Sequence, residues 1–271
     1  MTRALLITRR EILEVLRDLN LLGPMIMLPA LMAVILSLAM VGTATVDTGT
    51  VTVVVGSIGT ERLPPRWTAY FLGLAESDQE KLLGDVLKAL MLPLFWIVTV
   101  ALTATVASDS FVGEKERDTL EPLLATPIKN AELFFGKLLT AVIPATVGTW
   151  LGVAIFAVGV WRADNPYFPR FLFADPDWVA SSLFIVPLMA VMAAGVAALI
   201  STKVSTYRAA YQLNSLVALP IITLLIPQTM ILFFLTKWAL FVLGGFFLVI
   251  DTLLILTAVH FFDREQLLKG R

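Results

Sequence analysis

The chain has 271 residues, 58% of them hydrophobic and 15% charged, with a mean hydropathy of +0.86 and a formal net charge of -1. A soluble domain needs roughly 25% charged residues to cover its surface, so a large water-soluble core is excluded and an all-α membrane protein is expected. Cysteine is absent and His260 is the sole histidine, which removes disulfide, thiolate and histidine-rich metal chemistry; the near-neutral charge argues against a nucleic-acid partner.

The first unit, residues 1–20, reads as an amphipathic helix over 3–19. Leu5, Ile12, Leu16 and Leu19 recur at helical spacing, while Arg3, Arg10, Glu14 and Arg17 fall largely on the other side. Such a helix is expected to lie in the membrane interface, arginines toward lipid headgroups or water. The alternative is a solvated helix packed on another chain. No small-residue cleavage pattern follows it, so it is not read as a signal peptide.

Residues 21–260 are expected to form a six-span transmembrane domain. Apolar runs of roughly 20 residues cross about 30 Å of hydrocarbon as helix, and they fall at 22–41, 87–107, 138–161, 178–200, 213–227 and 237–259. Pro24 and Pro29 lie early in the first, where a kink is cheapest. The interval 42–86 is polar, with a β-branched stretch at 50–55 that reads as a short strand. A second polar loop covers 162–177, and a short one at 201–212 carries Lys203 and Arg208. The last two spans are divided around 228–236, which is expected to be a short interfacial or re-entrant helix. Residues 261–271 form a tail. Lysine and arginine concentrate on the side that holds both termini, in the N-terminal helix, the stretch 108–137, the loop 201–212 and the tail. Both termini are therefore expected to be cytoplasmic.

The densest charged stretch, 109–127, reads DSFVGEKERDTLEPLLATP. Val112, Glu116, Thr119, Leu120 and Leu123 suggest a helix with one apolar face. Glu114, Lys115, Arg117 and Glu121 give it a charged exterior, Arg117 and Glu121 pairing at i,i+4. Pro122 lacks an N–H and marks a junction between two short helices. A charged helix between two spans suits docking of a soluble partner; the plainer alternative is a solvated loop.

The pattern Gly113-Glu114-Lys115-Glu116-Arg117, Thr119-Leu120-Glu121, Leu123-Leu124, Pro127-Ile128 resembles the signature of bacterial and archaeal ABC-2-type transporter permeases. It is most similar to their sodium-extrusion and multidrug-type branch. The ending Phe262-Asp263-Arg264-Glu265-Gln266-Leu267-Leu268 resembles the family's final turn. The resemblance implies a permease subunit of an ATP-driven exporter in the bacterial or archaeal cell (inner) membrane. It implies a second permease chain, identical or not, and two ABC ATP-binding subunits that carry ATP and Mg. It also implies that the N-terminal helix and a cytoplasmic coupling helix within 109–126 contact those subunits, with Glu114, Glu116, Arg117, Thr119, Leu120 and Glu121 as coupling residues. Segment 228–236 matches the family's extracellular hairpin. The interval 42–86 is short beside the outward domain of some sodium-extrusion relatives, so their substrates do not carry over.

The chain has no G-x-x-x-x-G-K-[ST] phosphate loop. ATP hydrolysis is expected on a partner, and no catalytic, cofactor or metal site on this chain. Membrane lipids are the remaining expected partners. Asp251 interrupts an apolar span, where a carboxylate costs about 2.5–3.5 kcal/mol. It is expected to turn inward, paired or protonated. The plainer reading is a hydrogen bond to a threonine or to an amide such as Gln212 or Asn214; the other is a part in ion or substrate handling. Thr99 and Thr103 share a face at i,i+4 and either line a pathway, join helices or bond their own backbone. Gln212 and Asn214, near a cytoplasmic span entrance, either line a vestibule or bond a helix end. Gly148 and Gly152 offer close helix packing. A different functional class is also compatible: a membrane scaffold or signalling partner of an ATPase that moves no solute.

Overall fold

The computed structural model describes residues 2–44, 93–113, 116, 129–163, 179–204, 206–214, 216 and 239–261. The chain opens with helix α1, Thr2–Arg17. Asp18 ends it and starts the next: its Oδ1 accepts the Asn20 N–H at 2.9 Å and its carbonyl accepts those of Leu21 and Leu22. An aspartate in that position satisfies N–H groups that a helix start leaves without partners. Helix α2, Leu19–Ala44, follows at once. Leu19, expected on the apolar face of the first helix, thus belongs to the second. The face that α1 buries also differs from the expected leucine stripe. Thr8, Glu11 and Val15 are buried, while of the expected stripe Leu16 is exposed and Ile12 only half-buried.

Helix α3, Pro93–Gly113, runs past its expected end at 107 and closes in a π-helical turn, Asp109–Gly113. Helix α4, Asn130–Ala163, starts well before the expected 138. The Lys129 N–H is accepted by Glu132 Oε2 at 3.3 Å, which starts the helix inside the charged stretch. Leu133, Phe134 and Leu138 then bury against the bundle. A π turn, Ser181–Ile185, leads into α5, Val186–Ser201. A helical stretch at 207–214 replaces much of the expected loop 201–212. Helix α6, Ala239–Phe261, matches the expected last span closely.

The protein is an all-α, multi-pass membrane protein. Among the described residues, five helices (α2 to α6) are long and apolar enough to cross a membrane. The expected span 213–227 beyond its first residues, the segment 228–236, most of the interval 42–86 and most of the tail lie outside the described residues. Helix α3 is the centre of the bundle, with 72% of its apolar window buried, against 28% for α2 and 22% for α6. The outer faces of those two carry Ile26, Leu31, Leu38, Phe246, Val249 and Leu256, all more than half exposed. In water that would be an apolar surface far larger than soluble proteins carry; in hydrocarbon it is the expected exterior.

The packing of α2 on α4 turns on one proline and three glycines. Pro29 has no N–H to give to the Met25 carbonyl, four residues back. That carbonyl faces α4 at Gly148, where a Cβ would lie 2.9 Å from it. One turn on, a Cβ at Gly152 would meet the Pro29 ring at 2.7 Å, and one at Gly159 would collide with Ser37. Small residues that let backbones approach are the common solution where lipid supplies no hydrophobic drive between helices. The structure therefore places Gly148 and Gly152 at a helix contact and adds Gly159.

Candidate functional site at the charged end of the bundle

At the end of α3 the chain leaves the bundle for the charged stretch. In the π turn Gly113 leaves space for the Asp109 carboxylate, whose Oδ1 would lie 2.6 Å from an added Cβ. Ser110, also in this turn, is buried. Its carbonyl accepts a hydrogen bond from Lys137 Nζ at 2.5 Å, and its hydroxyl donates to Glu11 Oε2 at 2.9 Å. Lys137 Nζ and Glu11 Oε1 are 3.5 Å apart, with side-chain exposures of 1% and 9%. The ion pair thus joins α1 to α4 through the end of α3. Thr8 Oγ1 adds a bond to the Gly136 carbonyl at 3.1 Å. A cation at the carbonyl end of a helix is favourably placed, and a buried ion pair persists only where further hydrogen bonds satisfy it. Both conditions hold here.

A second set of contacts ties the same region to the helical stretch 207–214. Asn214 Nδ2 donates to Ser108 Oγ at 2.9 Å, both residues being buried. Glu116, just beyond the π turn, accepts the Tyr207 N–H at 2.7 Å. A carboxylate there sits on the N–H groups at the start of that stretch, where negative charge is stabilised. Burial first, then the Asp109 carboxylate and the neighbouring Tyr211, push the Tyr207 phenol above its ordinary pKa. Its ring stacks on Tyr211 with centroids 6.2 Å apart. Replacing Glu116 with alanine is expected to lower stability by about 1 kcal/mol, read as a drop in the thermal unfolding midpoint in detergent, with Glu116→Asp losing less.

This joint between α1, α3, α4 and the 207–214 stretch belongs to a chain whose family the comparisons with known proteins show. The family model described as "ABC-2 type transporter" matches residues 2–231. The chain belongs to that family. Its members are the non-catalytic membrane permease components of ABC transporter systems. The chain is also similar to "ABC transporter permease protein NatB" of Bacillus subtilis (strain 168), at 28% identity over 150 residues. That match covers 52% of this chain and 38% of the relative.

Of the coupling residues expected from the family signature, Glu116 is at this joint; Glu114, Arg117, Thr119, Leu120 and Glu121 lie outside the described residues. Asn214 bonds Ser108 instead of Asp251, and Gln212 is exposed. Asp251 is turned inward at 4% exposure, but neither carboxylate oxygen has a hydrogen-bond partner among the described residues. The expected bond to an amide is therefore not formed there. Thr99 and Thr103 are buried: Thr99 Oγ1 donates to the Phe95 carbonyl at 2.9 Å and lies 3.0 Å from Thr149 Oγ1 on α4, and Thr103 Oγ1 donates to the Thr99 carbonyl at 2.8 Å. Among the described residues no group of three or more His, Asp or Glu is placed to hold a metal ion.

Sequence reasoning missed Glu11, Ser110 and Lys137. Lys137 was counted among the charges of a cytoplasmic loop. Its signal was present: it lies among Leu133, Phe134 and Leu138, on the face that one long helix buries.

Proposed function

We propose that this chain is the membrane permease subunit of an ATP-driven ABC exporter of the sodium-extrusion or multidrug-type branch, working by alternating access. Two ABC ATP-binding subunits bind ATP and Mg beneath a pair of permease chains. The segment 109–126 docks on them through Glu114, Glu116, Arg117, Thr119, Leu120 and Glu121, and its displacement repacks the spans. Both termini then lie in the cytoplasm of a bacterial or archaeal cell, with α1 in the membrane interface and 228–236 outside. Asp251, Thr99, Thr103, Gln212 and Asn214 are the polar groups within or at the ends of the spans that a substrate path would use.

The observation that carries this reading is the convergence at the exit of α3. Within the few residues from Ser108 to Glu116, the start of the coupling segment bonds α1, α4 and the helical stretch 207–214. A force applied there reaches three elements at once. A merely solvated loop has no use for such bonds.

The test is co-expression with the neighbouring ATP-binding subunit, followed by ATP turnover and flux in liposomes. The subunit is expected to co-purify, and exchanging both Arg117 and Glu121 for alanine is expected to lower ATP-dependent flux at least about tenfold, the scale of losing one to two charged contacts. Full flux by that double variant would remove the coupling role from this segment. ATPase binding with no flux of any candidate would favour the scaffold reading.

A further inference from the structure

The coupling reading leaves open how a push at residue 114 and beyond is divided between α1, α3 and α4. We infer that α1, the π turn and the head of α4 travel as one rigid body, with Glu11 and Lys137 as positioning residues that clamp it. This rests on the permease reading for its motion, and on the geometry alone for its rigidity.

The clamp has three parts that hold one another. Lys137, 1% exposed, reaches both the Ser110 carbonyl and Glu11. Glu11 receives the Ser110 hydroxyl as well as the lysine. Thr8, one turn before Glu11, grips the carbonyl of Gly136, next to Lys137. Sliding α1 along α4 by one helical turn would break all of these together. Parting a buried charge from its partner is among the costliest single events in a protein interior. Apolar packing at the same level supports this: Val15 of α1, Leu21 and Met25 of α2, Val106 and Phe111 of α3, and Leu133 and Phe134 of α4 share one cluster. By contrast, Arg10 and Glu14, on the exposed flank of α1, form a pair at 3.0 Å that is 71% and 58% exposed, so that pair is no comparable hold.

The interfacial helix is then not a separate lever. Whatever moves the coupling segment moves α1 and α4 with it, and α4 carries α2 along through the glycine contacts.

The experiment uses the full chain with its ATP-binding subunit in liposomes. The chain has no cysteine, so Leu13→Cys and Ile143→Cys, both exposed and the second on the near side of Pro144 in α4, take two spin labels, with labelled chains diluted by unlabelled ones. The distance between the labels is expected to agree within about 2 Å between the nucleotide-free and vanadate-trapped states, below the scale of helix shifts in switching proteins. Lys137→Met is expected to broaden that distance and make it nucleotide-dependent, and to slow ATP turnover at least about fivefold at unchanged KM for ATP. Lys137→Arg, which keeps a charged donor, should hold the parent distance. Should Lys137→Met not assemble, Glu11→Gln/Lys137→Met leaves no buried charge without a partner and is expected to broaden the distance likewise. A parent distance that shifts by more than about 5 Å, one helical turn, overturns the inference. So does a methionine variant indistinguishable from the parent. A parent chain that binds no ATP-binding subunit fails the permease reading instead; the distances of the variants in liposomes alone still decide whether the clamp holds.

Discussion

Glu11→Ala is expected to destabilise the folded chain by about 3–5 kcal/mol, the scale found when one partner of a buried ion pair is removed. The reason is what it leaves behind. Lys137 is 1% exposed. It keeps the Ser110 carbonyl but loses its counter-charge, and the Ser110 hydroxyl loses its acceptor. The comparison is Glu14→Ala, three residues on in the same helix. Its pair with Arg10 is shorter, 3.0 Å against 3.5 Å, but exposed, so about 0.3–0.5 kcal/mol is expected. Glu11→Ala/Lys137→Ala should recover part of the loss, since no charge then remains buried alone. Thermal or denaturant unfolding in detergent reads all four states, and equal effects of Glu11→Ala and Glu14→Ala would refute the buried pair.

The second large effect is at Gly152. An added Cβ would lie 2.7 Å from the Pro29 ring and 3.0 Å from its carbonyl oxygen. Neither can rotate away, because a proline ring is closed onto its own backbone. The helices must separate, and Gly152→Ala is expected to cost about 1–3 kcal/mol, with Gly152→Leu lowering the folded yield further. Gly245 on α6 is the control: among the described residues nothing lies within 4 Å of its added Cβ. There an alanine should be neutral or gain up to about 1 kcal/mol, since glycine is a poor residue for a helix interior. Loss at both positions alike would show that the α2–α4 contact is not the cause.

Most of the architecture could be read from hydropathy, because a span needs only an unbroken apolar length. The helices at α2, α5 and α6 fall close to the expected positions for that reason. Boundaries inside the charged stretch could not be read the same way. Composition marks Lys129, Glu132 and Lys137 as loop, yet Glu132 starts a helix and Lys137 is buried within it. A window average registers charge without knowing that a counter-charge sits in α1, more than a hundred residues away in sequence. The leucines of α1 misled in a related way. The stripe read from spacing is not the side this helix buries: Leu16 is exposed, while Thr8, Glu11 and Val15 are buried. The family signature marked the charged stretch, but not the bond from Tyr207 to Glu116, which depends on tertiary placement.

The π turn at the end of α3 has one more consequence. Such a turn fits one residue more than an α-helical turn into the same full rotation, so the extra residue is absorbed without changing the direction in which the chain leaves α3. Deleting a single residue from 109–113 would let α3 finish as an ordinary α-helix in nearly the same phase, with Glu116 still directed at the start of the 207–214 stretch. Deleting one from the α-helical part upstream would instead rotate the outgoing chain by about 100° and take Glu116 away from Tyr207.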